Sequence, residues 1–227
     1  MMARYLSAII LGVGGVAVLL ALGYWQLQRL AWKETVLAEI TAQMLAAPSE
    51  LPASAGLDPE AARYKPVKAV GRTTGAEILV LSGKTDVGPG YEVIAGYETA
   101  TGRRILLDRG FVADAARHEP RPAVALSVTG NLHWPQEADS YTPPPDMAEG
   151  IWFARDVPAM AAALGTEPLM IVVRQSDGDG QGIVPVPLDT ATIPNDHLHY
   201  AITWFSLALV WAGMTVFLLW RIRQASN

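Results

Sequence analysis

The sequence predicts a membrane protein in which two transmembrane helices flank a β-rich α+β extracytoplasmic domain, built as an antiparallel sheet or open barrel. The chain of 227 residues is 51% hydrophobic and only 17% charged. Two stretches, Tyr5–Gln28 and Tyr200–Trp220, contain no Asp, Glu, Lys or Arg, whereas all 22 acidic residues lie between them. A bilayer core of about 30 Å requires roughly 20 helical residues, so each stretch is long enough to cross a membrane.

The uneven distribution of charge also sets the predicted domain boundaries. We predict a first transmembrane helix over residues 5–28, which continues as a helix to about residue 47 and ends at Pro48. The extracytoplasmic domain covers residues 48–195, and the second transmembrane helix covers residues 197–220. Neither apolar stretch has the polar face expected of a helix on the core of a soluble protein. The first stretch is also too long for the apolar region of a cleaved signal peptide.

Cations beside the two helices give opposing indications of orientation. Arg221 and Arg223, directly after the second stretch, favour a cytoplasmic tail, whereas Arg29 and Lys33 after the first stretch favour the reverse. Two spans return the chain to the side on which it began, and we expect both termini on the cytoplasmic or matrix side. The protein then lies in a bacterial inner membrane with a periplasmic domain, or in a mitochondrial inner membrane with the domain in the intermembrane space.

Between the two helices, runs rich in β-branched and aromatic residues alternate with turn residues, which is typical of a sheet of short strands. Thr101-Gly102 predicts a hairpin turn, and Thr74-Gly75 predicts another turn. One short helix is predicted over Asp156–Leu164, with Asp156 as its N-cap and Gly165 just beyond its end. The predicted strands are Tyr64–Thr74, Glu77–Lys84, Tyr91–Thr99, Arg103–Val112, Val124–Trp134, Leu169–Gln175 and Ile183–Leu188.

Composition and motifs exclude several classes of function. The chain has no cysteine, which excludes disulfides and thiolate chemistry, and its net charge of −5 argues against nucleic acid as a partner. Neither His118 nor His133 has a second histidine at metal-ligand spacing. The run Asp177–Gly182 resembles a calcium loop, but Leu188 stands where that loop needs a bidentate Glu. We therefore expect a hairpin loop there.

Polar and aromatic residues at the end of the first apolar stretch share one helix face. An aromatic belt with snorkelling cations explains the residue types, but such a belt can be distributed around a helix. A specific binding role for this face is an equal alternative. At about 100° per residue the face spans about 120°, and it contains Trp25, Gln26, Arg29, Trp32 and Lys33.

At the start of the second apolar stretch, His197 heads a mainly aromatic stripe. On a helix, Tyr200 and Trp204 lie on the same side as His197, whereas His199 lies opposite. His197 can be a capping or interfacial residue, which is the usual role of a polar residue at such a position. It can also be the axial ligand of a haem held at the membrane interface.

Four motifs in the chain resemble those of the Surfeit-locus family of cytochrome c oxidase assembly factors. They are collinear and span positions 23 to 205. Ala113 and Gly96 stand where the family usually has proline, which affects only the expected local backbone. The matches are G-x-W-Q-x-x-R-x-x-W-K at Gly23, Trp25, Gln26, Arg29, Trp32 and Lys33; R-G-[FW]-V at Arg109–Val112; W-x-x-R-D at Trp152, Arg155 and Asp156; and N-x-H-L-x-Y-A-x-T-W-[FY] at Asn195, His197, Leu198, Tyr200, Ala201, Thr203, Trp204 and Phe205.

The resemblance implies a non-enzymatic role in which the protein helps haem a reach subunit I of cytochrome c oxidase. His197 is the family-matched ligand for the haem iron, and Arg29 and Lys33 would pair with the propionates. Gln26 would contact a porphyrin substituent or Tyr200. The implied partners are subunit I, haem a synthase and membrane lipid. The expected cofactor-binding residues are His197, Tyr200, Trp204, Trp25, Gln26, Arg29 and Lys33.

Two other interpretations of the chain stay open. The first is a membrane-anchored scaffold that stabilises subunit I without binding haem and uses the same residues only for helix–helix contact. The second is a membrane-anchored enzyme whose site contains His118, His133 and nearby acidic residues.

Overall fold

The computed structural model describes residues 2–84, 88–191 and 193–224, and divides the chain into two compact units. The first unit contains Met1–Glu39 and Thr190–Asn227, and the second contains Ile40–Asp189. Helix α1 (Met2–Met44) begins in the first unit, which also contains the C-terminal helix (His197–Gln224). Both helices are long and apolar enough to cross a membrane, and most of their residues are exposed, unlike those of a soluble core helix.

The two apolar helices pack antiparallel, with glycines of α1 directly against side chains of the C-terminal helix. Any larger residue at these glycines would overlap its neighbour, so their lack of a side chain permits the close approach. The contacts join Gly12 to Thr215, Gly15 to Trp211 and Gly23 to Phe205, where an added Cβ would lie 2.1, 2.3 and 2.7 Å from the partner.

The second unit is a closed barrel of five strands. The barrel path runs through β2 (Pro66–Lys84), β3 (Gly88–Thr99), β4 (Arg104–Ala113), β7 (Met170–Asp177) and β5 (Ala125–Leu132) and returns to β2, and only its β4–β7 pairing is parallel. This closure confirms the predicted β-rich α+β domain between two apolar helices. In chain order the elements after α1 are β1 (Ser49–Glu50), α2 (Pro59–Ala62), β2 (Pro66–Lys84), β3 (Gly88–Thr99), β4 (Arg104–Ala113), β5 (Ala125–Leu132), β6 (Ile151–Trp152), α3 (Val157–Leu164) and β7 (Met170–Asp177), followed by the C-terminal helix, α4.

Strand β2 is long enough to pair with both of its barrel neighbours in succession. Residues 66–72 pair with β5 and residues 71–84 pair with β3. The turn predicted at Thr74-Gly75 is wrong, because the chain continues as one strand with a register shift between Thr73 and Glu77. Gly75 has a φ of +82° at this irregularity, and a β-bulge contains the same residue types as a turn.

Two local predictions are confirmed by the backbone. Thr101-Gly102 forms the turn between β3 and β4, in which Gly102 N–H donates to the carbonyl of Thr99. Helix α3 is capped by the Asp156 side chain, which accepts a hydrogen bond from Ala159 N–H, and ends at Gly165 with a left-handed φ of 62°.

The strand predicted over Ile183–Leu188 is wrong. The segment makes only a single bridge, between Val184 and Phe111. Pro185 and Pro187 have no N–H to donate to a neighbouring strand, which explains why no ladder extends from this bridge.

Both faces of the barrel strands are covered by apolar side chains. Ile105 and Leu107 of β4 belong to one buried cluster, whereas Leu106 points the other way into a cluster that includes Met160 of α3. This alternation explains why Ile105, Leu106 and Leu107 form a continuous apolar run in β4. Inside the first cluster the Tyr97 hydroxyl donates to the carbonyl of Leu126 at 2.8 Å, and burial raises its pKa to about 12.

Candidate functional site

The first unit brings the two long motifs together through one hydrogen bond. Oε1 of Gln26 on α1 lies 2.8 Å from Nδ1 of His197, the first residue of α4. Only 8% of Gln26 is exposed, although the residue lies on a helix whose other side chains are mostly exposed. Two residues 171 positions apart in the chain therefore form a side-chain hydrogen bond between the two apolar helices.

Close packing beside this contact holds the two helices together. Gly23, one turn before Gln26, lies against the ring of Phe205. Ala201, one turn after His197, is almost completely buried. Small residues at these positions bring the helix axes close enough for the Gln26 side chain to reach the imidazole.

The aromatic and cationic residues around this contact remain accessible. Trp25, Trp32 and Tyr200 are each about half exposed, and Trp204 is half-buried. The guanidinium of Arg29 stacks on Trp32, with Cζ 4.0 Å from the ring centroid. The structure therefore joins Gln26 with His197 and Arg29 with Trp32, within a surface that has exposed aromatic area.

The remaining members of the two motifs take different positions. Lys33 is half-buried and His199 is exposed, with its ring edge-on to Tyr200 at 6.4 Å. Gln26 has His197 as its hydrogen-bond partner, in place of the Tyr200 contact suggested above. Oδ1 of Asn195 is buried and has no hydrogen-bond partner among the residues that the structure describes. Asn195 thus offers a hydrogen-bond acceptor two positions before His197.

The donor set around His197 fits a haem at a membrane surface. One imidazole nitrogen is held by an amide, which is the usual arrangement for a metal-ligating histidine. Arg29 supplies a guanidinium suited to carboxylate groups, and the half-exposed indoles of Trp25 and Trp32 supply flat apolar surface. Elsewhere, the described residues contain no group of three His, Cys, Asp or Glu that could hold a metal ion.

In the second unit, Arg155 forms the centre of a carboxylate cluster that sequence reasoning did not detect. Its Nη1 lies 2.9 Å from Oε2 of Glu92 and 3.0 Å from Oδ2 of Asp108. Its Nε lies 3.1 Å from Glu137, whose carboxylate also contacts Nη2. The W-x-x-R-D motif contains Arg155. The acidic partners of Arg155 lie on β3, on β4 and in the chain after β5. Only strand register could identify them.

The cluster strongly shifts the pKa of its members. Asp108 is 2% exposed, and burial together with the charge of Glu92 raises its pKa to about 7 in spite of Arg155. Burial, followed by the charges of Arg155 and Arg63, lowers the pKa of His133 to about 4. Burial alone would raise the pKa of Glu137, but its hydrogen bonds and charge attraction with Arg155 lower it.

The R-G-[FW]-V motif on β4 contacts the segment that follows β7. Arg109 donates to Asp179 and to Gln181, so the loop that resembled a calcium site uses its carboxylate to bind a guanidinium. Gly110 has a φ of +117°, and a Cβ there would lie 2.2 Å from the carbonyl oxygen of Val184. The motif therefore fixes the segment that follows β7 against β4.

The two histidines of the enzymatic alternative lie in different surroundings. His118 is exposed in a polar loop. His133 stacks on Tyr64 with 5.6 Å between ring centroids, and its buried Nδ1 has no hydrogen-bond partner among the described residues.

The chain matches the model of the SURF1 family over residues 13–209. It is 29% identical over 213 positions to Surfeit locus protein 1 of Homo sapiens, covering 82% of this chain and 69% of that protein. The Rattus norvegicus protein of the same name is 28% identical over 211 positions, covering 82% of this chain and 67% of the relative. A SURF1-like protein of Rickettsia felis is 26% identical over 208 positions, covering 85% of this chain and 88% of the relative.

Proposed function

Because the chain belongs to the SURF1 family, whose model matches residues 13–209, we propose that it is an assembly factor for cytochrome c oxidase that binds haem a as cargo. The observation that supports this proposal is the contact between Gln26 and His197. It unites the family-like motifs of both helices at a single imidazole, which is the side chain best suited to bind haem iron in a chain without cysteine.

The surroundings of His197 support haem as the cargo. The iron would be bound by His197, the propionates by Arg29 and Lys33, and the macrocycle by the aromatic stripe of Tyr200 and Trp204. A single exchangeable ligand suits a carrier, because a cargo held too tightly would not be released. Trp25 adds exposed indole surface beside Gln26.

The proposed setting is a membrane with the barrel on its outer side. Both termini lie in the cytoplasm or matrix, with Arg221 and Arg223 in the last turn of α4 on that side. The proposed partners are subunit I of cytochrome c oxidase, haem a synthase and the surrounding lipid. In this role the protein binds and passes on haem and is not an enzyme.

An absorption spectrum of the full chain, purified from membranes that make haem a, tests the proposal. We expect a Soret band in the wild-type protein and its loss in His197→Ala. His199→Ala is the matched control, because His199 is an exposed histidine two positions away, and this variant should keep the band. A full Soret band in His197→Ala would contradict the ligand assignment.

A scaffold that binds no haem is the second candidate, and the burial of Gln26 favours it. A buried amide bonded across two helices stabilises their packing whether or not a ligand is present. The same preparation distinguishes the two candidates. Subunit I that co-purifies with a haem-free wild-type protein would support the scaffold, whereas haem that depends on His197 supports the carrier.

A further inference from the structure

The Gln26–His197 contact determines more than the packing of two helices. A neutral imidazole has one N–H, and either ring nitrogen can hold it. The atom of Gln26 nearest to the ring is Oε1, 2.8 Å from Nδ1. A carbonyl oxygen only accepts hydrogen bonds, so with Oε1 in this position a neutral His197 has its proton on Nδ1 and its lone pair on Nε2.

The packing around the contact favours one orientation of the Gln26 side chain. Gln26 is 8% exposed, and Gly23 and Ala201 bring the two helices together beside it. Water competes poorly for a hydrogen bond in such a place, which makes the bond stronger and its geometry more persistent. An exposed glutamine such as Gln28 has no comparable constraint.

We infer that Gln26 is a positioning residue that holds His197 in the Nδ1–H tautomer, so that Nε2 is the nitrogen available to a haem iron. The inference rests on the function proposed above and identifies how its ligand is prepared. Hydrogen bonding of the second ring nitrogen fixes the orientation of a ligating histidine and raises its basicity, and losing that partner typically lowers metal affinity about 10- to 100-fold.

The tautomer can be measured in the haem-free full chain by nitrogen NMR of labelled histidine in detergent micelles. The chain has four histidines, and the His197→Ala spectrum identifies the signals of His197. We expect the wild-type protein to show a protonated Nδ1 and an unprotonated Nε2. A protonated Nε2 in the wild-type protein would overturn the inference, because Gln26 would then donate its amide N–H to the ring.

Two variants connect the tautomer to binding. Gln26→Met keeps the length of the side chain but removes the acceptor, so we expect mixed tautomers and about 10- to 100-fold weaker haem binding. Gln28→Met makes the same chemical change on an exposed part of the helix and should alter neither. Unchanged haem affinity in Gln26→Met would also contradict the inference.

The outcome for Gln26 is separable from the outcome for the proposed function. If haem binding needs His197 but His197 has its proton on Nε2, the carrier function stands and the role of Gln26 is wrong. If His197 has its proton on Nδ1 but His197→Ala keeps all of its haem, the assignment of His197 as the ligand fails, and the role of Gln26 as preparation of that ligand fails with it; a haem-free wild-type protein would instead contradict the carrier function itself.

Discussion

Arg109 and Asp179 form a buried ion pair between β4 and the loop after β7, with Nη2 of Arg109 2.6 Å from Oδ1 of Asp179. Their side chains are only 2% and 8% exposed. Arg109 also donates to Gln181, so three polar groups satisfy one another away from water. A pair of this kind is sensitive to the loss of either partner, because the remaining charge stays buried without compensation.

We predict that Asp179→Ala lowers the free energy of unfolding by about 3–5 kcal/mol, the usual cost of leaving one charge of a buried pair alone. Asp177→Ala, an exposed aspartate in the same segment, should change it by less than about 0.5 kcal/mol. Chemical unfolding of the full chain, followed by circular dichroism, measures both. Similar losses in the two variants would show that Arg109 does not depend on Asp179.

Gly110→Ala should be much more harmful than Gly102→Ala, although both glycines have a positive φ. At Gly110 the new Cβ would lie 2.2 Å from the Val184 carbonyl oxygen, whereas Gly102 has no neighbour within 4 Å. The backbone conformation alone costs about 1–2 kcal/mol, and overlap adds about 1–3 kcal/mol. Thermal unfolding of both variants checks the difference, and equal melting temperatures would contradict it.

Asp108 and His133 should make opposite contributions to the pH dependence of stability. The pKa of Asp108 is raised from its ordinary 3.8 to about 7 in the folded protein, so its contribution to stability falls as pH rises through that window. The pKa of His133 is lowered from its ordinary 6.5 to about 4 in the folded protein, so its contribution to stability falls as pH decreases through nearly the same window. The two slopes oppose each other in the wild-type protein.

Variants that remove one of the two residues should show how the other makes stability change with pH. Between about pH 4 and 6.5, we expect Asp108→Asn to become more stable as pH rises, because His133 then acts alone. His133→Gln should become less stable as pH rises, because Asp108 then acts alone. Melting temperatures across this range provide the measurement, and slopes of the same sign in both variants would contradict the assignment.

Gly15→Val should weaken the pairing of the two apolar helices, whereas Gly14→Val should not. A Cβ on Gly15 would lie 2.3 Å from Nε1 of Trp211, but nothing lies within 4 Å of a Cβ on Gly14. Overpacking of this kind typically costs about 1–3 kcal/mol. Titration of the micelle-bound full chain with a denaturing detergent, followed by tryptophan fluorescence, measures the change. Equal midpoints for the two variants would show that the helices pack through another face.

Local rules predict the parts of this fold that depend on neighbouring residues. The apolar helices follow from charge-free runs, and α3 follows from Asp156 and Gly165, whose capping roles depend only on the backbone beside them. The Thr101-Gly102 turn follows in the same way. A helical wheel also places Trp25 and Gln26 on one face, but it does not determine which faces of two helices meet. The partnership of Gln26 with His197 therefore requires the structure.

The Arg155 cluster shows why register is difficult to predict. Glu92 and Asp108 meet because β3 and β4 pair with a register shift between Glu92 and Ile94. A displacement of one residue would turn either carboxylate to the other face of the sheet.

Thr74-Gly75 has the sequence of a turn, yet pairing with β3 on both sides of the irregularity keeps β2 continuous.

The short strands β1 and β6 limit the ways in which another protein can bind the barrel. Each pairs with β2 beside a barrel neighbour, at residues 67–68 and 79–80, and every described barrel strand has a partner on both sides. Among the described residues, no barrel strand therefore lies at a sheet edge along its full length, and a foreign strand finds only short stretches of backbone to extend. Recognition of the barrel depends on exposed side chains, and a partner can be lost by changing one of them while the fold stays intact.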